Sequence, residues 1–208
     1  MEVIPAINCG DEGCVRKHLE MLKDIPAKWV HFDVSDGKFT PAKTWDVEVR
    51  LPGEVGLRKV EVHLMVEKPE EYAPRWVAAG AKRVLAHVEI VESFKLKVES
   101  FTECEFGLAL LPETPVETVY PYLDKVRFVQ FLAVSPGFSG QKFQENILDK
   151  IRALRERDIS VIIEVDGGTN DAVASLARRA GANVIVSSSY IWNNPRPAEA
   201  FASLRRAQ

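Results

Sequence analysis

Strand and helix patterns alternate along the whole of this 208-residue chain. The alternation predicts a single α/β domain, because each strand is followed by a helix that can cover the sheet. Eight βα units in about the usual length favour a closed (β/α)8 TIM barrel over residues 1–208. Polar residues at the ends of the second, third and seventh strands support closure, because they would meet across a barrel but lie far apart in an open sheet.

The elements are predicted from apolar runs, apolar spacing and helix caps. The predicted strands are Val3–Asn8, Lys28–Ser35, Lys59–Val66, Arg83–Glu89, Glu105–Leu111, Val126–Val134, Ser160–Asp166 and Asn183–Ser188. The predicted helices are Asp11–Lys23, Trp45–Leu51, Pro69–Ala79, Ser93–Ser100, Val116–Leu123, Gln144–Arg157, Asn170–Ala180 and Pro197–Arg206. Pro69 begins one helix, and Gly80 and Gly181 follow the ends of two others, as is common at helix termini.

Composition excludes several classes of protein. The net charge of −3 and the interspersed charges give no basic surface for nucleic acid, and no apolar run reaches membrane-spanning length. The N-terminus has no signal-peptide pattern. The three cysteines, Cys9, Cys14 and Cys104, are odd in number and include no C-x-x-C pair. We therefore expect reduced thiols in a cytoplasmic protein.

Three of the predicted strands carry polar residues on one face and aliphatic residues on the other. His31 and Asp33 share a face of the second strand, His63 lies on the third strand, and Asp166 ends the seventh. We find no lysine or arginine in the same inward-facing series. Two imidazoles and two carboxylates suit a first-row divalent cation, which would also relieve repulsion between the two acids.

The other histidines have plainer interpretations. His18 lies in the first predicted helix, and we expect it on the surface. His87 and Glu89 form an inward-facing pair at the end of the fourth strand. We expect this pair either to orient a ligand of the site or to make core hydrogen bonds.

Small residues follow the last three strands. These loops are Ser135–Gln141, Asp166–Asn170 and Ser187–Ser189. Glycines let backbone N–H groups approach an anion, serines add hydroxyl donors, and barrels often bind phosphate after strands seven and eight. Each loop alone could simply make a tight turn, but the three together predict a small phosphorylated substrate.

Several segments resemble ribulose-phosphate 3-epimerases. They are His31–Pro41, Val62–Val66, Pro136–Phe143, Glu164–Gly168 and Ala180–Val186. The matches run in order from Pro5 to Ile191 and so cover nearly the whole chain. The resemblance implies 3-epimerisation of a ketose phosphate, D-ribulose 5-phosphate to D-xylulose 5-phosphate in the pentose phosphate pathway, through an enediolate. It also suggests a homo-oligomer.

The resemblance further implies roles for individual residues. A divalent ion would be held by His31, Asp33, His63 and Asp166, with zinc expected and manganese, iron, cobalt or magnesium as alternatives. Asp33 would act as the base and Asp166 as the acid, and the two would exchange roles in the reverse reaction. The substrate and its phosphate would contact His63, Gly137, Phe138, Ser139, Gly140, Gly167, Gly168, Ser188 and Ser189.

Five residues depart from the usual family pattern and keep other functions open. They are Ala6, Ser35, Leu132, Ser139 and Ser188. They leave an epimerase for another ketose phosphate, such as allulose 6-phosphate, as an alternative. A lyase or decarboxylase on a related barrel is less favoured, because such enzymes carry a lysine where this chain has Ser35. A non-catalytic phosphosugar-binding barrel would have little need for both carboxylates and both imidazoles.

Overall fold

The computed structural model describes residues 1–45, 55–56, 58–91 and 104–207. Eight parallel strands of this part of the chain form a closed barrel in sequence order, with the last strand paired to the first. They are β1 (Glu2–Ile7), β2 (Trp29–Ser35), β3 (Lys59–Met65), β4 (Arg83–His87), β5 (Glu105–Leu110), β6 (Phe128–Leu132), β7 (Ile162–Asp166) and β8 (Val184–Ser187). The predicted barrel is confirmed.

Helices cover the outside of this barrel. They are α1 (Glu12–Leu22), α2 (Pro69–Ala78), α3 (Val88–Val91), a 3₁₀ helix (Val116–Tyr122), α4 (Ile147–Arg157), α5 (Asp171–Ala180), α6 (Ser189–Trp192) and α7 (Pro197–Arg206). The Asn170 side chain accepts a hydrogen bond from Val173 N at 3.0 Å and so caps α5, and Gly181 ends that helix at φ 116°. Within the described residues, none of the helices is long and apolar enough to cross a membrane.

Some predicted boundaries are wrong. The fourth strand ends at His87 instead of Glu89, which lies in α3. The helix predicted over 116–123 is a 3₁₀ helix that contains Pro121, whose ring removes a backbone donor. The short helix α6 was not predicted, and α4 begins three residues later than expected. The helix predicted at 93–100 lies outside the described residues, as does 46–51 of the helix predicted at 45–51.

A charged layer fills the barrel interior below the strand ends. Glu61 of β3 faces Arg83 of β4 across the sheet, and Arg83 Nη1 lies 2.6 Å from Glu61 Oε2. The guanidinium lies between two rings, 4.3 Å from the centre of Trp29 and 4.5 Å from that of Phe128. Gly107 makes room for Phe128, because a Cβ there would lie 2.3 Å from the ring. The expectation that no arginine joins the inward-facing series is therefore wrong.

The expectation of three reduced cysteines is wrong for two of them. Cys9 and Cys14 form a disulfide, whereas Cys104 is a free thiol. β1 ends just before Cys9, and α1 begins after its N-cap Asp11, so a short connection brings Cys14 beside Cys9. The two Cα atoms lie 5.7 Å apart, within the range that a disulfide requires.

Candidate active site and metal centre

Four predicted ligands meet at the C-terminal ends of three strands. One ligand atom from each of His31, Asp33, His63 and Asp166 lies within 4.8 Å of the other three. Asp33 Oδ1 is 3.2 Å from both His31 Nε2 and His63 Nδ1, and Asp166 Oδ2 is 4.0 Å from His63 Nδ1. Asp33 and His63 are register partners on neighbouring strands, which explains how alternate residues converge.

Each histidine of this cluster uses its second ring nitrogen elsewhere. His31 Nδ1 lies 2.7 Å from Glu61 Oε1, and the carboxylate fixes that nitrogen as the donor. His63 Nε2 lies 2.9 Å from His87 Nε2. His31 Nε2 and His63 Nδ1 are thus left to face the two carboxylates. Histidines anchored in this way are typical of metal ligands, so the donor set fits a divalent cation.

His87 and Glu89 continue this chain of contacts away from the cluster. His87 Nδ1 donates to Glu89 Oε2 at 3.0 Å, while Glu89 Oε1 accepts the backbone N–H of Leu111 at 2.8 Å. When His63 Nε2 donates to His87 Nε2, His63 Nδ1 carries no proton and can bind a cation, whereas in the other tautomer Nδ1 donates to Asp33. Of the two roles expected for the pair, the contact with His63 supports the orientation of a ligand.

The two carboxylates have opposite electrostatic environments. Burial alone would raise the pKa of Asp33, but the adjacent His31 and His63 outweigh it and hold the pKa below its usual value. Burial, together with the negative charge of Asp33, raises the pKa of Asp166 to about 7. Without a bound cation, Asp33 is therefore ionised at neutral pH and Asp166 holds a proton part of the time.

The two histidines also differ in charge. Burial opposes protonation of His31, but its hydrogen bonds to Asp33 and Glu61 raise its pKa well above the usual value. Burial lowers the pKa of His63 to about 4, although Asp33 works in the opposite direction. The cluster without a cation therefore contains one protonated and one neutral imidazole at pH 7.

Glu164 completes the charged layer below the cluster. Its side chain is fully buried, and neither oxygen has a hydrogen-bond partner among the described residues. Arg83 Nη1 is 3.8 Å away, too far for a hydrogen bond. Burial, reinforced by the charge of Glu61, raises the pKa of Glu164 well above its usual value. These surroundings favour the neutral form of Glu164, and the hydrogen bond of Arg83 goes to Glu61 instead.

A pocket opens above Asp33 and Asp166. It is lined by every glycine, serine and phenylalanine that was predicted to contact the substrate and its phosphate: Gly137, Phe138, Ser139, Gly140, Gly167, Gly168, Ser188 and Ser189. His63, which was also predicted to contact the substrate, lies below the pocket. Five further lining residues were not named individually from the sequence, although two of them, Pro136 and Thr169, lie in predicted phosphate loops: Asn8, Met65, Val134, Pro136 and Thr169. Each follows or ends a strand, and that position was the signal that could have identified them.

The loops at this pocket are held in one shape by close backbone packing. Gly168 has φ 64°, and a Cβ there would lie 2.4 Å from Phe143 N. Only glycine fits this position without strain. The Gln141 side chain closes the preceding loop, because its Nε2 donates to the carbonyl oxygens of Ser135 at 2.6 Å and Phe138 at 2.8 Å.

The five departures from the family pattern occupy two kinds of place. Leu132, Ser139 and Ser188 line the pocket. Ala6 and Ser35 are buried outside the pocket lining, and Ser35 Oγ has no hydrogen-bond partner in the described part of the chain. Differences in substrate contact are therefore expected at the first three positions.

Two residues have surroundings that differ from their predictions. His18 is half-buried instead of lying freely on the surface, and its ring stacks on Trp192 with the centroids 4.8 Å apart. Sequence analysis gave no role to Glu61, although strand alternation places it on the same face as His63. Its contact with His31 makes it part of the site, and the register pairing of Glu61 with His31 was the available signal.

Comparisons with known proteins agree with this geometry. Residues 2–192 match the model of the ribulose-phosphate 3 epimerase family. Similar curated proteins include the cytoplasmic isoform of ribulose-phosphate 3-epimerase from Oryza sativa subsp. japonica, 33% identical over 99% of this chain and 93% of its own length. The ribulose-phosphate 3-epimerase of Bacillus subtilis is 31% identical over 99% of this chain and 98% of its own length.

Solved structures support the fold. A 3-hexulose-6-phosphate synthase superposes with a TM-score of 0.69 at 18% identity, covering 100% of this chain and 99% of its own. An enzyme described as KGPDC from Streptococcus mutans gives a TM-score of 0.70 at 11% identity, with 99% and 96% coverage. Identities this low indicate the shared barrel only. The match over most of the chain and the full-length relatives lead to one conclusion: the chain belongs to the ribulose-phosphate 3-epimerase family.

Proposed function

We propose that this protein is an isomerase that inverts C3 of a ketose phosphate, interconverting D-ribulose 5-phosphate and D-xylulose 5-phosphate. One observation carries the proposal. His31, Asp33, His63 and Asp166 converge below a pocket whose upper wall consists of glycine- and serine-rich loops. A proton-transfer centre and a phosphate-binding region thus lie within one small cavity. The family relatives named ribulose-phosphate 3-epimerase support the same reaction.

We further propose that the four side chains hold one divalent cation, with zinc expected. Manganese, iron, cobalt and magnesium are the alternatives, because nitrogen and carboxylate ligands accept each of them. When bound, the cation supplies electrostatic stabilisation of the negative charge that develops on the substrate oxygens. Glu61 and His87 keep the two imidazoles oriented toward it.

Asp33 and Asp166 would move the protons. Asp33 is ionised at neutral pH and so suits the base that removes the C3 proton, which leaves an enediolate. Asp166 lines the same pocket as Asp33 and so suits the acid that returns a proton to the opposite face. The two residues come from β2 and β7, which approach the centre from different sides of the barrel. In the reverse reaction they exchange roles.

The phosphate would be bound at the loops that follow β6, β7 and β8. Gly167 and Gly168 have positive φ values and offer backbone N–H groups, while Ser188 and Ser189 add hydroxyl donors. Gly137, Phe138, Ser139 and Gly140 would cover the other side of the same group.

The first test is exchange of the C3 proton in heavy water. The wild-type protein loaded with zinc should incorporate deuterium at C3 of D-ribulose 5-phosphate, as followed by proton NMR. Asp33→Asn and Asp166→Asn should each abolish incorporation. Asp149→Asn is a matched control, because the Asp149 side chain is 85% exposed and remote from the pocket. Exchange that persists in both active-site variants would refute the assigned roles.

A second candidate is an epimerase for a six-carbon ketose phosphate. This alternative is supported by three pocket-lining residues that differ from the family pattern: Leu132, Ser139 and Ser188. The values of kcat/KM for D-ribulose 5-phosphate and D-allulose 6-phosphate decide between the two. Saturable binding of both sugars without turnover by the metal-loaded protein would instead indicate a binding protein.

We propose that the reaction takes place in the cytoplasm, by analogy with the rice relative, which is a cytoplasmic isoform. The family resemblance also leads us to propose a homo-oligomer. Light scattering coupled to size-exclusion chromatography tests this assembly directly.

A further inference from the structure

A second cluster of reactive side chains lies outside the proposed active site, where β1 leads into α1. The Cys9–Cys14 disulfide lies beside His18, whose Nδ1 is 3.3 Å from Cys9 Sγ and 3.9 Å from Cys14 Sγ. His18 is fixed in turn by stacking on Trp192. The proposed epimerase mechanism uses none of these residues.

The two sulfur atoms differ in access. Cys9 is 4% exposed, whereas Cys14 in the first turn of α1 is partly exposed. A thiolate attacks a disulfide along a path that must reach the sulfur, so access selects Cys14 as the attacked atom. Cys9 is then the leaving group.

The surroundings favour the same direction of bond cleavage. His18 Nδ1 can hydrogen-bond to a thiolate on Cys9, which stabilises that leaving group. His18 Nδ1 lies nearer to Cys9 Sγ than to Cys14 Sγ, at 3.3 Å against 3.9 Å, so this contact favours cleavage that places the charge on Cys9.

We propose that Cys9–Cys14 is a thiol–disulfide exchange site for small thiol reductants, with Cys14 as the attacked sulfur and Cys9 as the leaving group. The thiolate of the reductant bonds to Cys14 Sγ, the Cys9–Cys14 bond breaks, and its electron pair goes to Cys9 Sγ, which takes a proton from solvent. A second thiol then attacks the mixed disulfide, which releases the oxidised reductant and a Cys14 thiol. Two thiols thus supply the two electrons.

The chain contains an internal control for this chemistry. Burial raises the pKa of the Cys104 thiol to about 11, so little thiolate forms there near neutral pH. Cys104 should therefore stay unmodified while the exchange site reacts.

The test starts from protein oxidised with hydroxyethyl disulfide and then treated briefly with 2-mercaptoethanol. After acid quenching, peptide mass mapping should find the mercaptoethanol adduct on Cys14 and a free thiol on Cys9. An adduct on Cys9, or a protein that forms no Cys9–Cys14 bond under oxidation, would overturn the proposal.

A variant separates the contribution of His18. His18→Phe keeps a ring against Trp192 but removes the nitrogen beside Cys9. Attack on Cys14 should slow several-fold, because a leaving thiol of higher pKa departs more slowly. The rate is measured from loss of the disulfide, with Glu20→Gln as a control on the same helix, because the Glu20 side chain is 72% exposed. An unchanged rate in His18→Phe would refute the role of the imidazole.

Discussion

Replacing Arg83 with methionine should strongly destabilise the barrel. Arg83 is 5% exposed and its partner Glu61 is fully buried, with 2.6 Å between Nη1 and Oε2. Removing the guanidinium leaves the buried cluster one positive charge short, because His31 must then balance both Glu61 and Asp33. At an effective dielectric constant of about 20, two charges about 4 Å apart interact by roughly 4 kcal/mol. Breaking buried pairs from one side costs about 3–5 kcal/mol, and we expect a loss of that size.

The measurement is urea unfolding of the metal-free protein, followed by circular dichroism. Arg152→Met is the matched control, because Arg152 and its partner Asp149 have side chains that are 52% and 85% exposed. This exposed pair should contribute less than about 1 kcal/mol. The free energy of unfolding of Arg83→Met should therefore fall several times further than that of the control.

A second replacement identifies the cause of the loss. Adding Glu61→Gln to Arg83→Met removes the uncompensated charge, so the double variant should be more stable than Arg83→Met alone. If Arg83→Met unfolds within about 1 kcal/mol of the wild type, or if the second replacement destabilises it further, the charge argument is wrong. Packing of the side chain at position 83 against the two rings, and not its charge, would then determine its contribution to the free energy of unfolding.

Three further results are expected. Glu61→Gln should weaken zinc binding about 10- to 100-fold in calorimetry, because the anchor of His31 is lost; unchanged affinity would exclude that role. Zinc affinity should rise with pH up to about 7, where Asp166 loses its proton, and then rise less steeply, whereas a flat profile contradicts the raised pKa. Gly168→Ala should lower the free energy of unfolding by about 1–3 kcal/mol through overpacking. Gly10→Ala is the control and should leave the free energy of unfolding unchanged, because a Cβ there makes no close contact.

The convergence of the metal cluster could be predicted because it depends on regular features. Strand alternation places His31 and Asp33 on one face, and eight βα units bring β2 and β7 to the same end of a closed barrel. Neither inference needs the conformation of a loop. The positions of His63 and Asp166 followed from the same rules, which is why one candidate ligand atom from each of the four side chains lies within 4.8 Å of the others.

The place of Arg83 could not be predicted in this way. It begins β4, where a long side chain could equally have extended its charge into solvent. What holds it inside is a slot made by Trp29, Phe128 and the missing side chain of Gly107, and these residues come from three other strands. The disulfide escaped prediction for a similar reason, because it depends on the path of the short connection between β1 and α1.

The charge of the interior explains why the site suits a divalent cation. Arg83 balances Glu61, and His31 balances Asp33 while its pKa is raised. Asp166 keeps a proton below about pH 7. A cation with two positive charges that displaces the protons of His31 and Asp166 therefore leaves the total charge of the barrel unchanged. The protein can exchange two protons for one metal ion without creating an uncompensated buried charge, while Arg83 continues to balance Glu61.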